Sequence, residues 1–214
     1  MIEVARFVFN PFSENTYLIW DTVTKETMVI DPGCSDSFEE EELSDFIQDK
    51  KLEIKYLINT HCHVDHVLGV NYIKNKYNPV FLAPEMDVPL LKMAEQQGST
   101  FGINCPKPVM PDMFLSEHSN LEIGNSDIFP LFTPGHSPGE HCIYFKNESF
   151  LIAGDVLFYR SIGRTDLWDG DYSALISSIK NRLFTLPDDT IVYPGHGDET
   201  TIGSEKKENP FVKE

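Results

Sequence analysis

The amino-acid sequence predicts an α/β fold with two sheet halves. Three observations carry this reading. Short β-like runs separated by turns fill the first 31 residues and recur beyond residue 120, helical 3-4 patterns lie among and after them, and residues of metal-ligand type follow directly on several of the runs. With 214 residues the chain can bury a substantial core, and it reads as a single domain over 1–214.

Taken in order, the first strands are expected at Ile2 to Phe9, Asn15 to Asp21 and Glu26 to Asp31, an antiparallel meander closed by the turn Asp31-Pro32-Gly33. Asp31 is left at a strand end, either as a turn residue bonding its own backbone or as a support for ligands nearby. Ser37-Phe38-Glu39-Glu40 has capping-box spacing and predicts a helix with Phe38, Leu43, Phe46 and Ile47 on one face. A buried strand, Glu53 to Thr60, then runs into His61-Cys62-His63-Val64-Asp65-His66. A helix is expected over Val67 to Tyr77, stopped by Asn78-Pro79, then a strand at Val80 to Ala83 and a helix from Pro84 to about Gly98.

Prolines between Gly102 and Pro111 predict a surface loop that could form a substrate-facing rim. Further β-like runs follow at Leu121 to Ile123, Ile128 to Thr133, Cys142 to Phe145 and Phe150 to Ala153. The last elements are a helix over Asp171 to Leu186, with Tyr172, Leu175, Ile176, Ile179 and Leu183 facing inward, and a strand at Thr190 to Tyr193.

Composition narrows the function. There are 17 Lys+Arg against 34 Asp+Glu, a formal net charge of -17, which disfavours sequence-independent binding to nucleic acid. Neither a membrane-spanning apolar run nor a signal peptide is recognisable, so a cytoplasmic protein without a membrane partner is expected. Cys34, Cys62, Cys105 and Cys142 form no CxxC pair, which argues against a disulfide framework and a cysteine-only zinc site. On an extended segment Cys62 would point away from His61 and His63, as a packing residue.

The loop from His61 to His66 holds three imidazoles and a carboxylate in six residues. A lone histidine is commonly a cap or a satisfied core residue, but four ligand types in one short loop point to metal. A continuous helix would split them between faces. An extended entry followed by a helix start would gather them. Three more turns repeat one pattern, glycine immediately before a ligand type: Gly135-His136, Gly154-Asp155 and Gly195-His196. Glycine permits a sharp turn at a strand end, so these side chains are expected to converge with His61, His63, Asp65 and His66. His118 and His141 lack this setting and read as structural or exposed.

With HxHxDH at His61 to His66 and the three Gly-ligand pairs in order, the chain resembles the metallo-β-lactamase-fold hydrolases, in particular small relatives of glyoxalase II, the hydroxyacylglutathione hydrolase. The resemblance implies a four-layer αβ/βα sandwich. It also implies two divalent metal ions, zinc foremost, with iron or manganese as alternatives. His61, His63 and His136 would hold one ion and Asp65, His66 and His196 the other, with Asp155 as the bridge; Asp65 and Asp155 are the carboxylates of the catalytic set. A hydroxide bound by both ions would cleave a small acyl-thioester. No G-x-S-x-G motif suggests a serine nucleophile.

Two departures mark the match. Only Gly197 to Glu214 follow the last ligand, and Gly163-Arg164-Thr165-Asp166 stands where longer members carry a Gly-Lys segment with a nearby tyrosine used for glutathione. Arg164 is the substrate-binding candidate, with an internal ion pair to Asp166 or Asp169 as the alternative. Gly163 to Gly170 also resembles the persulfide dioxygenases of this fold, which use one iron held by the counterparts of His61, His136 and Asp155. A non-catalytic metal-binding module is the remaining contrast. The sequence leaves the oligomeric state open.

Overall fold

The computed structural model describes residues 1–213, which form two compact units. The first comprises Met1–Phe114 with Ile123–Asn125, and the second comprises Leu115–Glu122 with the residues from Ser126 onward.

In the first unit β1 (Ile2–Phe9), β2 (Glu14–Asp21) and β3 (Glu26–Ile30) pair antiparallel, and β4 (Glu53–Ile58) and β5 (Val80–Pro84) continue the sheet in parallel. A short β6 (Met113–Leu115) completes the order β1-β2-β3-β4-β5-β6. Every residue of β2 is buried, consistent with a strand covered on both faces rather than one that alternates. Phe9, Leu18, Val29, Leu57 and Phe81 pack in the core with Leu43 and Ile47 of α1 (Ser37–Lys50). Parallel β4 and β5 place the turns after them at one edge of the sheet; α2 (Val64–Val67), continued by α3 (Val70–Tyr77), follows β4.

Several expectations change here. The cap of α1 is Asp36, whose carboxylate accepts from the backbone N–H of Phe38 and Glu39; Ser37 is already helical. Glu39 accepts from Ser35 and from the Asn10 backbone, tying the start of the helix to the preceding turns. Phe38 is 80% exposed rather than buried. The helix expected over Val67 to Tyr77 is broken at Gly69, whose N–H donates to the Pro32 carbonyl. A 3-10 turn at Glu85–Asp87 precedes α4 (Val88–Thr100), so Pro89 rather than Pro84 occupies its first turn. Gly98 lies inside α4: a Cβ there would come within 2.7 Å of Cys105 Cβ, so the glycine admits the following loop instead of ending the helix.

The second unit holds β7 (Ile128–Phe132), β8 (His141–Phe145) and β9 (Phe150–Gly154), paired antiparallel, with β10 (Leu157–Phe158) and β11 (Ser161–Ile162) as a separate ribbon. After α5 (Tyr172–Asn181), β12 (Ile191–Pro194) runs parallel to β9, and β13 (Thr200–Thr201) leads into α6 (Ile202–Glu208). The sheet order is β13-β12-β9-β8-β7. Leu175, Ile179 and Leu183 pack against Leu151, Ala153, Val192 and Ile202. Asp171 is the α5 cap and accepts from Ala174 N–H; the helix ends at Asn181, and Leu183–Thr185 is a separate 3-10 turn. Tyr172, expected inside, is 53% exposed. Leu121 makes only an isolated bridge to Ile128.

All four cysteines are free thiols buried in these cores. Among the described residues no helix is long and apolar enough to cross a membrane.

Candidate metal centre

The sequence-predicted residues divide between the units, four in the first and three in the second. His61 and His63 follow β4; His63 caps α2 in extended conformation, and Asp65 and His66 lie within that short helix. This is the extended entry and helix start that the spacing required. The His61 ring centroid lies 4.9 Å from that of His63 and 4.2 Å from that of His66. His61 and His66 are fully buried, and one ligand-type atom from each lies within 4.8 Å of the others in a group completed by Asp31.

Asp31 organises this half. Its carboxylate accepts from Thr60 N–H (2.7 Å), from Thr60 Oγ1 (2.6 Å) and from Asn59 Nδ2 (3.4 Å), and its Oδ2 lies 3.3 Å from His66 Nδ1. Thr60 has therefore given its hydroxyl proton to Asp31 and can only accept from His61 Nδ1, 3.1 Å away. The His61 ring then keeps its Nε2 lone pair available for a cation, with the Asp31 carboxylate behind it through Thr60. The strand-end carboxylate thus supports the ligands rather than merely closing its own turn.

Three residues brace the loop. Asn59 Nδ2 donates to the His66 carbonyl (2.7 Å), Asn10 Nδ2 donates to the carbonyls of Asp65 and Gly33, and Cys62 N–H donates to Asp87 Oδ2 (3.1 Å). The Cys62 side chain packs in the core, where burial pushes its thiol pKa well up. A thiol so disfavoured as thiolate is a poor ligand. Cys62→Ser is expected to leave metal stoichiometry intact, and loss of an ion measured by elemental analysis would overturn the packing assignment.

In the second unit His136 follows β7, Asp155 directly follows β9 and His196 follows β12. Asp155 Oδ2 lies 3.4 Å from His136 Nε2 and 3.7 Å from His196 Nε2. His136 Nδ1 is 2.7 Å from the Arg164 carbonyl, which can only accept, so Nε2 carries the lone pair on the Asp155 side. Two imidazole nitrogens within 3.7 Å of one carboxylate oxygen form a donor set suited to cations. Glycine before the ligand has a conformational cause in two turns: Gly135 has φ 140° and Gly154 φ 51°. In the third turn Gly197 (φ 75°), not Gly195, takes the positive angle.

Arg164 is paired with Asp166 through Nε to Oδ1 (2.7 Å) and Nη2 to Oδ2 (2.8 Å), so Asp166 rather than Asp169 is its partner. His118 is exposed, and buried His141 faces the Gly139 carbonyl, its pKa lowered by burial. Sequence reasoning missed three buried carboxylates. Glu140 accepts from Asp155 N–H (2.7 Å), Asp87 from Cys62 N–H, and Glu14 lies 3.8 Å from His66 Nδ1 with its pKa raised by burial and further by Asp31. Glu14 and Asp87 contact loop residues 52 and 25 positions away in the chain, respectively, so no local pattern marks them.

The model of the metallo-β-lactamase superfamily matches residues 9–196. The chain is 37% identical over 203 residues to hydroxyacylglutathione hydrolase GloC of Haemophilus influenzae, covering 94% of this chain and 93% of that protein. Among solved structures, the BLEG-1 B3 metallo-β-lactamase matches with TM-score 0.88 and 32% identity, covering 99% of this chain and 100% of the other. TTHA1623 in a di-iron-bound form matches with TM-score 0.87 and 35% identity, covering 97% and 99%.

Proposed function

The chain belongs to the metallo-β-lactamase superfamily and has its fold, and on that premise we propose that it is a metal-dependent hydrolase of small acyl-thioesters, glyoxalase II-like in its chemistry. The reading takes residues 1–214 as one functional domain to which each unit contributes ligands. His61, His63 and His136 would hold one divalent ion and Asp65, His66 and His196 the second, with Asp155 as the carboxylate that would serve both. Zinc is the first candidate, with iron and manganese behind it. The observation that carries this assignment is the Asp155 carboxylate within 3.4 and 3.7 Å of two imidazole Nε2 atoms.

When bound, the ions supply a water activated near neutral pH and a Lewis acid for the acyl carbonyl. The residues of the chain prepare for this. Asp31, through Thr60, fixes the tautomer of His61, and the Arg164 carbonyl fixes that of His136. Glu140 holds the backbone N–H of Asp155 and so sets where its carboxylate starts from the strand. A small-molecule thioester is the partner. The likeness to GloC supports the thioester; the likeness to a B3 metallo-β-lactamase concerns the fold.

Metal analysis of protein purified without added metal, together with assays on a lactoyl thioester, tests the reading. Two ions per chain with thioester cleavage are expected. One iron per chain with oxygen uptake on a persulfide would replace the hydrolase with a dioxygenase, and cleavage of a β-lactam but not of thioesters would replace the substrate class.

A further inference from the structure

The segment following Asp155 is tied to the Asp155 backbone, the His136 imidazole and the Gly135 carbonyl. Gly163 approaches so closely that a Cβ there would lie 1.8 Å from the Asp155 carbonyl oxygen. The Arg164 carbonyl accepts from His136 Nδ1, and Asp171 N–H donates to the Gly135 carbonyl (2.8 Å). Two cations lie on the segment from 155 to 171, Arg160 and Arg164. Arg160 is committed to Glu205, Glu208 and Ser204, while Arg164 stands one residue from the ligand-bracing turn with its side chain 62% exposed. Arg164 is thus the group placed to meet an anionic part of a substrate.

Its guanidinium is already engaged. Asp166, two residues on, supplies both oxygens to Nε and Nη2 in the geometry an external carboxylate would adopt. The Arg164 hydrogen bond pushes the Asp166 carboxyl pKa down to about 2, so Asp166 is charged across the physiological range. The net field of the pair on an approaching anion is small, and the formal charge of -17 offers no long-range attraction in its place.

We propose that Asp166 is a specificity-determining residue: it occupies the Arg164 fork in place of a substrate carboxylate, so thioesters with anionic carriers must displace it while neutral carriers need not. The inference rests on the thioester-hydrolase reading for its substrate and on Arg164–Asp166 geometry for its mechanism. Because both partners are exposed, the pair is weak, and displacing Asp166 costs an anionic carrier about threefold in apparent affinity.

The test compares the parent protein, Asp166→Asn, Arg164→Gln and the double variant in the metal-loaded state. The kcat/KM ratio for lactoyl thioesters of glutathione and of a small neutral thiol is measured, and S-methylglutathione is titrated calorimetrically as a non-hydrolysable probe. Asp166→Asn is expected to raise the glutathione-to-neutral ratio about threefold, through KM rather than kcat, and to tighten S-methylglutathione by a similar factor. In the double variant both gains disappear. A ratio that falls in Asp166→Asn would mean that Asp166 orients Arg164 rather than blocking it, and equal change for both thioesters would mark a structural role; either overturns the proposal, as does unaltered S-methylglutathione affinity. If no variant cleaves a thioester but the affinity shift appears, the hydrolase reading fails and the role of Asp166 stands.

Discussion

Asp155→Ala is expected to lose bound metal and hydrolytic activity together, with a larger loss than any other single carboxylate replacement in the set. On the proposed ligand set Asp65 would touch one ion, whereas Asp155 would fix two and their separation. Removing a supporting partner of a ligand typically costs roughly 10–100-fold in metal affinity or activity, and loss of the bridge itself should exceed that range. The β9 edge that carries Asp155 is buried and braced by Glu140, so the variant is expected to remain folded. Elemental analysis beside kcat/KM decides the matter. Metal content equal to the parent's would contradict the bridging role.

The second large effect falls on stability. Asp31→Ala removes the acceptor for Thr60 N–H, Thr60 Oγ1 and Asn59 Nδ2, and the carboxylate facing His66. Asp31 is 1% exposed, so water cannot replace it without opening the loop. Its φ of 50° adds to the cost, since alanine tolerates the left-handed region less well than aspartate. Together these put the destabilisation at about 3–5 kcal/mol, the range for breaking a buried charged cluster by deleting one member. Urea unfolding of the metal-free protein measures it without the contribution of bound ions. A change below about 1 kcal/mol would mean that the network contributes little to folding.

The strands and the ligand turns were legible because both are local signals: apolar runs ended by Pro or Gly, and imidazoles or carboxylates placed just beyond them. Helix ends were less so. Ser37 and Asp36 are adjacent cap formers, and only the backbone at Asp36, already extended, decides between them. Gly98 looked like a helix stop, yet what requires glycine there is the approach of Cys105 and Ile103 from the next loop, a tertiary fact. Tyr172 fits the helical period but sits in the first turn of α5, where the stripe has not yet reached the core. The short β13 and α6 were not foreseen, because Thr200 to Glu208 is polar; α6 is held by Glu205, which is buried on Thr200 and Arg160. In the site, the ligand types were readable from spacing, while Glu14, Asp87 and Glu140 act through partners brought close only by the fold.

The buried cysteines turn the protein into its own unfolding probe. Desolvation pushes the thiols of Cys34, Cys62 and Cys142 above the usual range, and that of Cys105 to about 11, so thiolate is scarce in the folded chain at neutral pH. An alkylating reagent must therefore wait for the backbone to open. Cys34, Cys62 and Cys105 belong to the first unit and Cys142 to the second. Mass spectrometry that resolves the labelled peptides consequently times the opening of each unit separately in one sample, with no engineered reporter.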